Sequence, residues 1–454
     1  MADEESSSRP PRLEEGPFNR ILGATEHNWC RAVESGTGIT VLGLLFCRSV
    51  NVGVFQCALD AVLARHPRLL SQLVWIEPDK PAFQVNANAT VAIQELAHGD
   101  DDPEDWLLQT IESEMNSNPW TDRDAPVPVF FARLHRLGEK SLFVIRVHTA
   151  ACDRAAAAVI MSEFLHRLRG DDEQEGKDGD GVEELVSIED AIPRGQANKP
   201  FWAHGVDLLG YSLGSLRHAL LPFDNVEEPR RTELVRASLS LEHTKSLTKR
   251  CVLEKTNLFG ALVAAGLRAT TIYKQLGNRS EHFAIIGLVD CRNHIDSLSR
   301  STAGFYHSAI LNTHHVNQDT GFWDLSRRCS DSFSNAIKNR KHFTDMGDIN
   351  YLMFQALQHP NLTPSGTLRT SLMVVFQDVI ADESEEETKH TLGLEDYVGC
   401  ASVHGVGPSL ALFDSIRDGC LHCNVVYPAP LHSREQIRKV VDDMMEILKS
   451  QHES

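Results

Sequence analysis

The chain of 454 residues contains no uninterrupted apolar run of 18, which argues against a membrane-spanning helix. It also lacks basic excess. The 44 Lys and Arg residues face 63 Asp and Glu, for a net charge of −19 with no basic cluster. Neither nucleic acid nor an anionic membrane surface is therefore an expected partner. The opening Met1-Ala2-Asp3-Glu4-Glu5 has no apolar core and reads as neither signal nor transit peptide. Gln451-His452-Glu453-Ser454 matches no sorting tag, so the cytoplasm is the expected location. Without a secretory signal the 10 cysteines read as free thiols, and Asn361-Leu362-Thr363 is a glycosylation sequon by pattern only.

What remains is the composition of an ordinary soluble globular protein, 42% hydrophobic and 24% charged, and long enough for two domains. Residues 1–16 are polar and Pro-containing and are expected to be disordered. Gly170 to Gly181 is acidic, glycine-rich and free of apolar side chains, and Asp382 to Glu387 is a second acidic stretch; both read as solvated loops.

Ser141-Leu142-Phe143-Val144-Ile145-Arg146-Val147 is a short apolar run of the kind that forms a buried strand. From Arg154 to Leu168, Ala157, Ile160, Met161, Phe164, Leu165 and Leu168 recur at helical spacing. Between them lies His148-Thr149-Ala150-Ala151-Cys152-Asp153, a strand-to-helix junction of the kind that holds side chains at a cleft mouth. Successive residues on an extended segment point to opposite faces. If Thr149 faces the cleft, His148 is a hydrogen-bonded core histidine. Further elements read as a helix from Leu258 to Gln275, an amphipathic helix from Phe322 to Ile337, and a β-prone run from Ser371 to Phe376. Ser238 to Leu241 reads as a strand, with a helix beginning at Thr244. Ser433-Arg434-Glu435-Gln436 is a capping box opening a last helix that docks through Ile437, Val440, Val441, Met444, Ile447 and Leu448.

Cys420-Leu421-His422-Cys423, with Cys400 and His404 upstream, has the ligand types for zinc. The surrounding sequence instead reads as a β-hairpin turning at Asp418-Gly419, which sends Cys420 and Cys423 to opposite faces. No metal site is expected.

The junction resembles the His-His-x-x-x-Asp-Gly motif of the CoA-dependent acyltransferase superfamily with the chloramphenicol-acetyltransferase fold. Relatives of that superfamily include condensation domains, alcohol acetyltransferases and BAHD enzymes. Other segments are similar in the same order. They are Ala58 to Leu69 with its Arg65-His66-Pro67, Glu254 to Ala265, and Leu288 to Arg292 followed by Gly304-Phe305-Tyr306. The BAHD signature Asp-Phe-Gly-Trp-Gly is absent.

The resemblance implies an α/β (α+β) fold of two similar halves, each a mixed sheet with helices, and a channel between them. The halves fall at residues 17–200 and 231–454, with a crossover at 201–230. It also implies transfer of an acyl group from a CoA thioester to an alcohol or amine, with acyl-CoA as co-substrate, no bound cofactor and a monomer by default. Asp153 falls on the motif's structural Asp, and Arg292 on its implied partner. Two positions depart from the pattern. Thr149 stands where the family's base His belongs, and Arg154 where it has Gly. A threonine hydroxyl does not titrate near neutrality, and loss of a general base removes roughly 10²–10⁴ in rate. His148 as a displaced base, or His307 and His404 reaching in from the second half, are the candidates to replace it. Arg154 beside a cleft also suits an anionic ligand, so a non-catalytic binding or regulatory protein on the same fold is the alternative reading.

Overall fold

The computed structural model describes residues 19–85, 89–97, 106–170, 186–215, 218–359, 368–377 and 391–451. The N-terminal residues 1–16, the acidic stretch Asp382–Glu387, the sequon at Asn361 and all but Gly170 of the first acidic loop lie outside them. In the first half the order is α1 (Ala24–Glu34), β1 (Thr37–Phe46), α2 (Val52–Arg65), β2 (Ile93–Ala97) and α3 (Trp106–Asn116). It continues with β3 (Phe130–Leu137), β4 (Lys140–His148) and α4 (Arg154–Arg169).

The second half runs β5 (Arg231–Leu239), α5 (Leu258–Tyr273), β6 (Glu281–Asp290), β7 (His307–Val316) and α6 (Phe322–Lys338). It ends with β8 (Met373–Gln377), β9 (Leu394–Val403), β10 (Leu410–Arg417), β11 (Cys420–Ala429) and α7 (Arg434–Ser450). Two mixed sheets carry the architecture, in the orders β9-β1-β4-β3-β2 and β7-β6-β8-β10-β11-β5. A smaller sheet joins the short segments at 20–21, 71–77, 80–85 and 127–128.

The apolar run of β4 has a structural cause. Every residue of β1 is buried, and every residue of β4 except Lys140, because the sheet is covered on both faces. On one face α2 and α4 pack together through Phe55, Phe143 and Phe164, whose ring centroids lie 4.6 to 5.6 Å apart. Such pairs add about 0.5–1.5 kcal/mol each beyond their buried area. On the other face α3 presents Glu114, which is 2% exposed and takes hydrogen bonds from Arg133 and Arg146, with His135 Nε2 at 3.1 Å. This explains how Arg146 sits inside an apolar strand.

The halves are interlocked. β9 crosses from the second half and pairs antiparallel with β1, with Val398 opposite Gly43. Val398, Cys400, Phe413 and Val426 thereby belong to the apolar core of the first half.

The β10–β11 hairpin turns at Asp418 (φ 49°) and Gly419 (φ 71°), the two positive φ values of a type I′ turn. Cys423 is buried there while Cys420 is partly exposed. Ser433 caps α7 by accepting from the Gln436 N–H, and the helix buries Ile437, Val440, Val441, Met444, Met445 and Leu448. One helix starts earlier than the sequence suggests. It begins at Leu241 rather than Thr244, because the Ser240 hydroxyl caps the His243 N–H. Among the described residues no helix is long and apolar enough to cross a membrane.

Candidate functional site

β4 ends at His148, whose carbonyl accepts from the Ala151 and Cys152 N–H groups in a tight turn. Asp153 then caps α4, accepting the Ala156 N–H at 3.0 Å. An Asp cap followed by four alanines is a strong helix start, and it aims the carboxylate at the second half. There its Oδ2 accepts from Arg292 Nη1 (3.0 Å) and the Tyr306 N–H (2.8 Å) and faces His307 Nδ1 at 3.2 Å. The Asp153 N–H donates to the Gly304 carbonyl at 2.9 Å.

Arg292 is held on every side. Nη1 also reaches Asp290 at 3.0 Å, while Nε and Nη2 donate to the carbonyls of Thr302 and Gly304. Burial alone would raise the Asp153 carboxyl, but Arg292 and His307 outweigh it and hold the group well below the usual carboxylate range. Burial opposes the charge of Arg292 in the same way, and Asp153 and Asp290 raise its pKa despite it. A Cβ on Gly304 would lie 2.1 Å from Arg68 Nη1, so the close approach at this joint requires glycine.

The other sequence candidates are occupied elsewhere. His148 is fully buried; its Nδ1 accepts the Ala150 N–H at 3.1 Å and its ring stands edge-on to Trp120 at 5.0 Å. Burial pushes its pKa down to about 3, so it is a neutral core side chain at pH 7. The Thr149 hydroxyl is buried and hydrogen-bonded to the Thr40 hydroxyl at 2.8 Å. Arg154 is 5% exposed and donates from Nη2 to the Tyr397 hydroxyl at 2.6 Å. It fits there because β9 has glycine at 399, where a Cβ would fall 1.8 Å from Nη2. Arg154 therefore braces α4 against the crossing strand.

His404 faces Thr232 Oγ1 through Nδ1 at 3.0 Å, and its Nε2 is packed on Gly36, where a Cβ would lie 1.9 Å away. Burial and Arg369 lower its pKa to about 4. The Cys152 thiol is fully buried, and burial with Asp153 raises it well above its ordinary value. Of the residues singled out from the sequence, the structure thus brings Asp153, Arg292 and His307 together and places His148, Thr149, Arg154 and His404 in separate packing roles. The partners that the sequence did not single out are Asp290, the Tyr306 N–H, Tyr397 and Thr40. Tyr397 and Thr40 carry no local signal, since distant strands supply them, whereas Asp290 stands only two residues before Arg292.

Among the described residues, the acidic group with metal-ligand geometry is Asp207, Asp345 and Asp348. Lys199 Nζ ion-pairs with all three, at 2.9 Å from Asp345 and 2.7 Å from Asp348, so an ammonium already sits at its centre. His204 Nδ1 faces Asp348 at 2.7 Å. A nearby cleft of about 450 Å³ lies between α1 and the segment 343–354, and its Phe343 and Met346 pack with Tyr306.

No protein-family model and no curated protein matches the chain. Solved structures do. The trichothecene 15-O-acetyltransferase of Fusarium sporotrichioides superposes with a TM-score of 0.73 at 11% identity, over 98% of both chains. The first condensation domain of the calcium-dependent antibiotic synthetase gives 0.70 at 14% identity, over 96% of this chain and 97% of that one. The NRPS cyclization-docking bidomain from Sorangium cellulosum gives 0.68 at 14%, over 98% and 87%. The chain has the fold of condensation domains and this acetyltransferase over nearly its whole length.

Proposed function

We propose that the protein transfers an acyl group from a CoA thioester to an amine or alcohol at the seam between its halves. The observation that carries this reading is the joint at Asp153. The carboxylate, Arg292, the Gly304 carbonyl and the Tyr306 N–H lock a strand-to-helix junction of one half onto a loop of the other. That joint survives although Thr149 and Arg154 depart from the motif, and the fold neighbours include an O-acetyltransferase and condensation domains. An amine is the better acceptor, because it is intrinsically nucleophilic and suffers least where a strong base is missing. Acyl-CoA enters as a co-substrate, and no bound cofactor is required.

Melting of the purified protein against a panel of acyl-CoAs, free CoA and small carboxylic acids tests the reading. A ligand at 100 times its Kd adds about 2.7 kcal/mol of apparent stability. One acyl-CoA should shift the transition more than CoA alone. Shifts with acids only, or with nothing, contradict it.

The second reading is a binding or regulatory protein on the same fold. It is favoured by Arg154, whose buried guanidinium fills the space beside Gly399. That reading expects acyl-CoA or an anion to bind without any release of free thiol.

A further inference from the structure

We infer that His307 is the general base of this acyl transfer and that Asp153 is its positioning residue. The inference rests on the acyl-transfer reading above and deepens it. Thr149, in the place of the resembling family's base, spends its hydroxyl on Thr40. The His148 ring is sealed against Trp120 with Nδ1 accepting from the Ala150 N–H, and His404 is wedged between Thr232 and Gly36. None of the three presents a free lone pair to a substrate.

His307 is arranged differently. Its Nδ1 faces the buried Asp153 carboxylate at 3.2 Å, and the tautomer with its proton on Nδ1 carries the lone pair on Nε2. Among the described residues Nε2 takes no hydrogen bond. The exposures run in the right direction: the Arg292 and Asp153 side chains are 0% and 1% exposed, and that of His307 is 10%. The chain of polar groups thus reaches solvent at both ends, at the imidazole and at Asp290, whose side chain is 25% exposed.

Asp290 lies directly opposite His307 in the β6–β7 register, and Arg292 Nη1 bridges Asp290 and Asp153, so two carboxylates beside the ring share one guanidinium. Next to the ring stands an apolar wall. The Phe305 centroid is 6.2 Å from that of His307, and Phe305 in turn packs on Trp29 at 5.3 Å. Trp29 comes from the first half and Phe305 from the second, so the wall spans the seam.

The acceptor N–H or O–H gives its proton to His307 Nε2 as its lone pair forms the new bond to the thioester carbonyl carbon. The carbonyl π pair moves onto oxygen. When that oxyanion re-forms the double bond, the C–S bond breaks. The CoA thiolate leaves and takes the proton back from Nε2, which restores the neutral imidazole.

Two experiments on the full-length protein decide the matter, and the first needs no substrate. Carbethoxylation by diethyl pyrocarbonate, mapped by mass spectrometry, should label His307 together with exposed histidines such as His282 while leaving His148 and His404 unmodified. Protection of His307 under conditions that label His282 overturns the inference, whatever the protein's substrate.

The second is His307→Asn, whose side-chain amide takes the place of the ring Nδ1 facing Asp153 and lacks the Nε2 lone pair. Its melting temperature and its acyl-CoA-induced shift should match the parent, while thiol release falls roughly 10²–10⁴-fold. Thiol release within threefold of the parent, with binding intact, refutes the base role and leaves the acyl-transfer reading standing. If no acyl-CoA binds either protein, that reading fails instead, and the labelling result still decides whether His307 presents a free Nε2.

Discussion

Asp153→Asn perturbs the joint with the least change of shape. The amide keeps the cap on the Ala156 N–H but removes the charge that compensates Arg292, and it turns one oxygen site into a donor facing the Tyr306 N–H and Arg292. Removing one partner of a buried ion pair costs about 3–5 kcal/mol. Arg292 retains Asp290, whose side chain is 25% exposed, so the lower end of that range, about 3 kcal/mol, applies here. Asp153→Ala also loses the cap and should cost about 1 kcal/mol more.

Because the Asp153 carboxyl is held below its ordinary value, its charge stabilises the fold above the unfolded pKa near 3.9. That stability disappears as the pH falls through the lower folded value. The gap between parent and Asn variant should therefore be full at pH 7 and close in strong acid. Urea unfolding across pH reads both quantities. An Asn variant within about 1 kcal/mol of the parent at pH 7 would refute the view that this pair locks the halves together.

Three further outcomes follow from the same geometry. Glu114→Gln strands the charges of Arg133 and Arg146 around a buried site and should cost about 3 kcal/mol or more in urea unfolding; a neutral result would mean that solvent reaches the network. Gly399→Ala should cost about 1–3 kcal/mol by expelling Arg154 from Tyr397, yet cost little in an Arg154→Ala background. Equal costs in both backgrounds would show that Arg154 does not occupy that space. Thr149→Val loses the hydrogen bond to Thr40, about 1 kcal/mol, and should leave the acyl-CoA-induced melting shift unchanged; loss of the shift would return Thr149 to the ligand site.

Local pattern was enough for the elements nearest the site. The apolar run before Thr149, the Asp153 cap and the alanine-rich start of α4 are each specified within a few residues, as are the Asp418-Gly419 turn and the Ser433 cap of α7. What pattern could not reveal is which distant segments meet. β9 joins β1 across more than three hundred residues, and nothing in Leu394–Val403 distinguishes a strand of the first sheet from one of the second. Glu114, Arg133 and Arg146 look like ordinary charged residues until α3 is laid across β3 and β4. Thr149 and Arg154 were visible as departures from a motif, but their partners, Thr40 and Tyr397, come from other strands. His307 stood out only as a histidine after a glycine turn. Its importance comes from the 3.2 Å approach to Asp153, which is set by the packing of two halves and by no property of its neighbours in sequence.

The central claim, that an acyl group changes carriers beside His307, is tested most directly by a crystal structure with a non-transferable thioether analogue of the acyl-CoA that shifts the melting transition. The account predicts the analogue's reacting carbon against the Phe305–Trp29 wall, with His307 Nε2 within hydrogen-bonding reach of the acceptor position. An analogue seated away from His307, with its anionic end on Arg154, would contradict it and establish the protein as a binder.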